Sequence, residues 1–361
     1  MFTGGRTTRL LSNEEYAKEF FYGFFELKQF YKNTIISDIQ HEKSFFLKYL
    51  DKLILKILAF PISLNCFINK KFKQDLKGAD IVILVNESVM FFSLLYLYYS
   101  KKIHKDLKIY LFTMGLFSKQ RRGKRFKKLR EKVLIFILNN IDGFFCLGEG
   151  EYKHIVQEYK NYEAKFKFIN FGIDSDFWSD SDSYDKNERD FILFVGNDLN
   201  RDFQFLVDLI NSMPNQKFKV LSSRLSCNDF TTKNVEVING IWWKNTISDE
   251  EIKNLYKYAN LTILPLKDTF QPSGQSVALQ SMSMGTPVLI TKTRGFWDEE
   301  IKNNKHIFFA NQNTLALWKE LIQNILSNFS LLVDVSSNSK QIIKNKYSIK
   351  KFNEELMKYL D

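Results

Sequence analysis

Residues 262–291, TILPLKDTFQPSGQSVALQSMSMGTPVLIT, read as strand, loop, helix and strand. Thr262–Leu266 is a short, mostly apolar strand pattern. Lys267–Ser273 is a polar loop, and a helix opens at Ser273–Gly274. Gly285 and Pro287 end that helix and open the next strand, because glycine accepts the left-handed backbone of a helix end and proline cannot continue one. The apolar positions Val277, Leu279, Met282 and Met284 follow a 3.6-residue period only in part, which predicts a helix buried on more than one side. A small residue plus glycine at a helix start lets backbone amides approach a ligand closely. The positive end of the helix dipole then favours a phosphate.

Outward from this stretch the same alternation recurs. Strand patterns fall at Phe191–Val195, Phe218–Ser222, Val235–Ile238, Leu261–Leu264, Pro287–Thr291 and His306–Ala310 in the second half. In the first half they fall at Thr34–Ser37, Asp80–Val85, Lys108–Phe112, Gly143–Leu147 and Lys167–Phe171. Helical patterns near 14–30, 43–58, 87–100, 121–139 and 149–160, then 202–212, 249–258, 274–284, 314–327 and 338–360, lie between or after them. Strands alternating with helices predict parallel sheets covered on both faces, an α/β class. At 361 residues the chain is long enough for about two domains. The polar, acidic stretch SDFWSDSDSYDKNERD at 175–190 is the one composition shift near the midpoint. The reading is a domain at 1–172, a linker at 173–190, a domain at 191–338 and a terminal helix at 339–361. Ligands of such sheets bind beyond the carboxyl ends of strands, which places the expected site in a cleft between the domains.

Composition narrows the partners. Fifty-two Lys and Arg against 41 Asp and Glu leave +11, which predicts anionic partners. Three cysteines, far apart and without CxxC, exclude a disulfide framework or zinc knuckle and fit a reducing compartment. The four histidines show no metal spacing, and no GxSxG, P-loop or GxGxxG occurs. No metal site is expected. The uncharged apolar runs Ile57–Asn69 and Ser88–Ser100 reach 13 residues each, short of the about 20 that a spanning helix needs. The first residues, MFTGGRTTRLL, lack the apolar core of a signal peptide, so the expected location is the cytoplasm.

Charge is concentrated in Lys119–Lys132, KQRRGKRFKKLREK, with nine basic residues and one acid. Residues 45–60 carry a narrow lysine stripe at Lys48, Lys52 and Lys56 on an otherwise apolar helical pattern. Together they suggest contact with an anionic membrane surface on its inner face, although each also suits an ordinary solvated or buried helix. The basic residues are not interleaved with exposed aromatics as in nucleic-acid readers, and no nucleic-acid partner is expected.

A second constellation is FILFVGNDLNRD, 191–202. A strand ends in Gly196 and Asn197, and Arg201 stands just before a helix opening at Asp202. A guanidinium at a strand–loop–helix junction suits a phosphate, and a tight turn with a solvated arginine is the alternative.

The run SGQSVALQSMSMGTPVLIT resembles the donor-site signature of retaining GT-B glycosyltransferases, especially glycosyltransferase family 4. FVGNDLNRD resembles the first strand and phosphate loop of their second domain. FINFGIDSDFW at 168–178 resembles their interdomain stretch, and the segment from Tyr347 resembles the helix that crosses back to the first domain. The resemblance implies the GT-B fold, two Rossmann-like domains facing a cleft. It implies a nucleotide-diphospho-sugar donor (UDP- or GDP-sugar) with no further cofactor, and a saccharide or lipid-linked acceptor. Retention and a role in cell-surface polysaccharide or glycolipid synthesis follow from it. Arg201 falls where the family sets a base on the diphosphate, and Gly196 and Asn197 fall in the phosphate loop. Ser273, Gly274 and Gln275 fall at the helix start. Gln280 falls where the family has a ribose-binding acid. Gly4 and Gly5 form an early loop that could pass near donor or acceptor. The chain departs from the pattern at Pro272 and Gln280, where the family has acids, and Asp268 is the nearest carboxylate. A nucleotide-sugar-binding or scaffold protein without turnover is the alternative.

Overall fold

The computed structural model describes every residue except 3–4, 13, 38–48, 51, 54–69, 118–126, 181–183, 241–245 and 361. The chain folds into two compact units. The first holds residues 1–12, 26–147 and 151–169; the second holds 13–25, 148–150 and 170–361.

In the first unit, β1 (Ile81–Leu84), β2 (Lys108–Thr113), β3 (Gly143–Cys146) and β4 (Phe166–Phe168) form a parallel sheet in that order. The chain start lies along its β1 edge. The Met1 nitrogen donates to the Ile83 carbonyl, Val85 N–H donates to the Met1 carbonyl, and Phe2 N–H donates to the Ser37 carbonyl. The strand expected at Thr34–Ser37 is thus reduced, in the described residues, to a contact at Ser37. Val82, Leu84, Ile109, Leu111 and Phe144 from the strands bury against Met90, Leu94 and Leu97 of helix Glu87–Ile103 and Leu134, Ile137 and Leu138 of helix Lys127–Asn140.

The second unit carries six parallel strands: β5 (Phe191–Val195), β6 (Phe218–Leu221), β7 (Val235–Ile238), β8 (Ala259–Leu264), β9 (Val288–Thr291) and β10 (Phe308–Ala310). Their order is β10-β9-β8-β5-β6-β7. The strands run outward in opposite directions from the β5/β8 pair, so that pair is the topological switch point. Both central strands are buried on each face, which is why they read as apolar runs rather than as alternation.

In the described part of 173–190, Ile173, Phe177, Trp178 and Tyr184 are buried and belong to the second unit. Two expectations differ from what is seen. The helix expected over 14–30 is instead a single turn at Glu19–Phe21 and a helix at Phe24–Phe30, separated by Tyr22 at φ +49°. The terminal helix is two helices, Phe329–Lys346 and Ile349–Met357, because Ser348 interrupts and caps the second. Ile173 N–H donates to the Tyr347 carbonyl at 2.8 Å and Ile349 N–H to the Ile173 carbonyl at 2.7 Å, so this end packs on the 170–173 stretch of its own unit. The parallel α/β architecture itself is as expected.

Candidate donor site at the switch point of the second unit

Two loops leave the carboxyl ends of β5 and β8 side by side. Their backbones are knitted together: Asp202 N–H donates to the Pro265 carbonyl at 3.0 Å, and Lys267 N–H donates to the Asn200 carbonyl at 2.8 Å. Side chains add a second layer. Asp202 caps helix Phe203–Asn211 through Phe205 N–H and accepts from Asn313 Nδ2 at 2.9 Å. Asn313 Nδ2 also donates to the Leu266 carbonyl, and Asn313 Oδ1 accepts from Thr291 Oγ1. A loop fixed from three strands has little freedom to move Arg201.

Arg201 is 2% exposed. Its guanidinium lies between two glycines. A methyl group at Gly196 would collide with Nε, and one at Gly274 would sit 3.1 Å from Nη1. Glycine at both positions is what lets the side chain pass. Nε and Nη1 are buried and make no hydrogen bond among the described residues, although Nη1 has Asp198 Oδ2 at 3.3 Å as an ion-pair partner. The pair is weak in effect, because Asp198 is 42% exposed and its contact is not aligned as a hydrogen bond. Burial lowers the affinity of Arg201 for its proton, but a guanidinium stays charged. A buried cation with donors to spare has capacity for an anion.

Gly274 is the N-cap of helix Gln275–Ser283. Its φ is +78°, and no side chain caps the helix. Four other helices of the unit, starting at Asp202, Ser248, Asn328 and Ser348, have a side-chain cap, and the one starting at Thr314 does not. The helix start at Gly274 therefore keeps its positive end uncapped beside the guanidinium. Ser273 is not the cap. Its hydroxyl accepts from Asn200 Nδ2 at 2.7 Å, and the same amide donates to Gln271 Oε1 at 3.0 Å. Gln275 opens the helix and is buried.

The remaining predicted residues take other places. Asn197 is a structural joint: Nδ2 donates to the Gly240 carbonyl, while Oδ1 accepts from Ser222 Oγ and Ser223 N–H. Gln280 is neither on the surface nor unengaged. It is 5% exposed, with Oε1 accepting from Tyr256 O–H at 3.1 Å and Nε2 donating to Glu19 Oε1 at 2.8 Å. Asp268 is tied to Arg294, accepting from its N–H at 3.1 Å and from Nε at 2.6 Å. Gly5 belongs to the first unit, where it is the N-cap of helix Arg6–Leu10 at φ +87°. Gly4, residues 119–126 of the basic run and most of 45–60 lie outside the described residues. Lys127, Lys128 and Lys132 from that run are exposed. Among the described residues, no group of three His, Cys, Asp or Glu side chains gathers, and no helix is long and apolar enough to cross a membrane.

Sequence reading missed Asn200 and Glu19. Asn200 sits in the quoted loop, but nothing in its spacing marks it as the clamp on Ser273. Glu19 is 261 positions from Gln280 and carries no local signal.

This fold, with a buried cation at the switch point of its second sheet, defines a GT-B protein. Residues 178–342, just under half the chain, match the family Glycosyl transferases group 1, and this stretch contains both Arg201 and the Gly274 helix start. No curated protein sequence matches the chain. Among solved structures it is similar to HepE (Alr3699) of Anabaena in complex with UDP-glucose, with TM-score 0.64, 11% identity and 97% of each chain covered. It is similar to a glycosyltransferase of Rickettsia africae, with TM-score 0.58 and 15% identity over 93% of this chain and 86% of that one. Sucrose-phosphate synthase of Thermosynechococcus elongatus gives TM-score 0.61 and 14% identity over 90% and 80%. The GT-B resemblance read from the sequence is borne out.

Proposed function

We propose that the protein is a glycosyltransferase that moves a sugar from a nucleotide-diphospho-sugar to a saccharide or lipid-linked acceptor. The observation that carries the reading is the Arg201 guanidinium, buried between Gly196 and Gly274 with donors to spare at an uncapped helix start. As the bond from sugar to diphosphate breaks, negative charge grows on the leaving phosphate. A fixed guanidinium and helix-start amides stabilise that charge without reorganising, which is what speeds such a step. The loops knitted at Asp202, Lys267 and Asn200 hold these donors in place. The positive charge comes from the protein itself, so this reading assigns the reaction no metal and no organic cofactor.

The HepE structures, solved with UDP and with UDP-glucose, support a UDP-sugar as the first donor to try, with a GDP-sugar second. The exposed lysines at 127, 128 and 132 support a basic face on the first unit that would meet an anionic membrane, in keeping with a lipid-linked acceptor, cell-surface polysaccharide or glycolipid synthesis and a location at the inner membrane face. Retention of anomeric configuration belongs to the same reading. A second reading, binding without turnover, draws on Pro272 and Gln280 standing where the resemblance sets acids, and on Asp268 being engaged by Arg294.

The test is a thermal-shift series with UDP, GDP and their sugars on the full chain, wild type and Arg201→Ala. A ligand that binds the folded state raises Tm by mass action. A shift in the wild type that vanishes in Arg201→Ala supports the reading, and an unchanged shift removes Arg201 from it. Slow release of free nucleotide from the bound donor separates an enzyme from a binder.

A further inference from the structure

Helix Glu87–Ile103 of the first unit, ESVMFFSLLYLYYSKKI, has no charged residue between Glu87 and Lys101. A surface helix ordinarily buries one apolar stripe and shows a charged face to water. Here both faces are apolar. Met90, Leu94 and Leu97 are buried in the core, while Leu95, Tyr99 and Ile103 on the other side are 42, 58 and 77% exposed. Spaced by four, these three form one ridge along the helix. Its flanks are taken. Tyr98 meets the ring of Phe136 on helix Lys127–Asn140 at 5.2 Å, and Tyr96 on the opposite flank has Lys73 Nζ, from helix Lys70–Leu76, 5.9 Å from its ring. The ridge lies outward between those two helices.

Its surroundings are basic. The three helices carry nine Lys and Arg against three acids. Lys102 Nζ lies over the Tyr98 ring at 4.5 Å. Leu129, Lys132 and Phe136 fall at i, i+3 and i+7, so the exposed Leu129 and Lys132 share the face that Phe136 turns to Tyr98. The acids are turned elsewhere. Glu87 accepts from Met114 N–H and Asp75 from Ser37 Oγ, each at 2.7 Å. Glu131 stands about 140° round its helix from Phe136.

We propose that the ridge of Leu95, Tyr99 and Ile103 inserts into the headgroup–acyl boundary of an anionic bilayer, so that helix Glu87–Ile103 lies in the membrane plane. Such a bilayer offers acyl chains to the ridge and phosphates to the lysines beside it. A nucleic acid would satisfy the lysines and leave Leu95 and Ile103 in water. A second copy of this face would set one basic surface against another. At 17 residues the helix is shorter than the about 20 that a span needs. The inference rests on the membrane contact proposed above and adds the side chains that enter the lipid: the lysines draw the first unit to the surface, and the ridge anchors it.

The experiment is flotation of the full chain with vesicles of equimolar phosphatidylglycerol and phosphatidylcholine, at low and high salt. Wild type should float at low salt and keep part of its binding at high salt, because burial of apolar surface is not screened. Replacing Leu95, Tyr99 and Ile103 together by Ser should weaken partitioning at least tenfold and abolish the salt-resistant part. Replacing Lys127, Lys128 and Lys132 by Gln should cost about fivefold each at low salt. Tyr99→Trp reads insertion without disturbing the fold: its fluorescence should be quenched by vesicles with brominated acyl chains, beyond any quenching of wild type. If wild type floats but the serine variant floats equally at both salts, or the new tryptophan is not quenched, the ridge inference falls and the electrostatic membrane contact stands. If wild type does not float at low salt, both fall. A dimer in light scattering without lipid, lost in the serine variant, would make the ridge a self-association face and overturn the proposal.

Discussion

Asn200 Nδ2 and Ser273 Oγ are 2.7 Å apart, and this hydrogen bond joins the loop after β5 to the loop after β8 directly beside Arg201. The same amide reaches Gln271. One side chain thus ties the arginine loop to the residue before the helix-start glycine.

Asn200→Ala should leave the fold standing, since Asn200 lies at the rim and the two loops keep their backbone bonds. The expected stability loss is about 1 kcal/mol, the usual worth of a hydrogen bond of this kind. Nucleotide affinity should fall more than stability does, by roughly tenfold, because the loops lose their register. Denaturant unfolding and titration with the bound nucleotide check the two separately.

Gly274→Ala tests the close approach. The position needs φ near +78°, which costs an L residue about 1–2 kcal/mol, and the new methyl would stand 3.1 Å from Arg201 Nη1 and 3.3 Å from Ile290 Cδ1. We expect a modest fall in Tm and loss of the nucleotide-induced Tm shift. A variant that still shows the full shift would mean that no ligand approaches this helix start.

Glu19 makes stability depend on pH with a definite sign. Its carboxyl is raised from 4.5 to about 7 by burial, so the folded state holds a proton that the unfolded chain has already lost. The stabilisation from holding that proton is complete below pH 4.5, fades as pH rises to 7 and is absent above it. The difference amounts to about 3 kcal/mol at most. Wild type should therefore gain on Glu19→Gln as pH falls from 7.5 to 5 in urea unfolding. A constant gap across that range would show that the carboxyl titrates near its ordinary value.

Arg189 supplies the control for a structural cation. Its Nη1 donates to the Ala259 carbonyl and Thr286 Oγ1, each at 2.7 Å, and it is 9% exposed. Arg189→Met leaves those acceptors without their donor and should cost about 3 kcal/mol. Above its melting range the variant is lost; below it, nucleotide affinity should stay within about twofold of wild type. A large affinity loss would extend the site to the far end of β8.

The strands of the second unit were readable because each is a short apolar run between polar turns, and Gly285–Pro287 punctuates the chain unambiguously. The placement of Arg201 and Gly274 at neighbouring strand ends was readable for the same reason, since loops at strand ends are announced by the strands. The break at Tyr22 was hidden, because a tyrosine in the left-handed region gives no warning in sequence. Trp178 and Tyr184 anchor a stretch whose Ser and Asp content alone reads as a tether. Gln280 was placed by its motif position, but its true surroundings come from Glu19, a contact no periodicity can foresee.

The 13–25 segment has a consequence for how the polypeptide is made. The second unit is discontinuous: a fragment starting at residue 170 would contain its entire sheet and still lack the acid on which Trp178 and Gln280 converge. At a ribosome adding about 5–20 residues per second, Glu19 emerges on the order of tens of seconds before its partner on the Gln275–Ser283 helix is synthesised. The packing around Glu19 is therefore completed only once the Gln275–Ser283 helix has been made, by a segment synthesised 261 positions earlier folding back onto it.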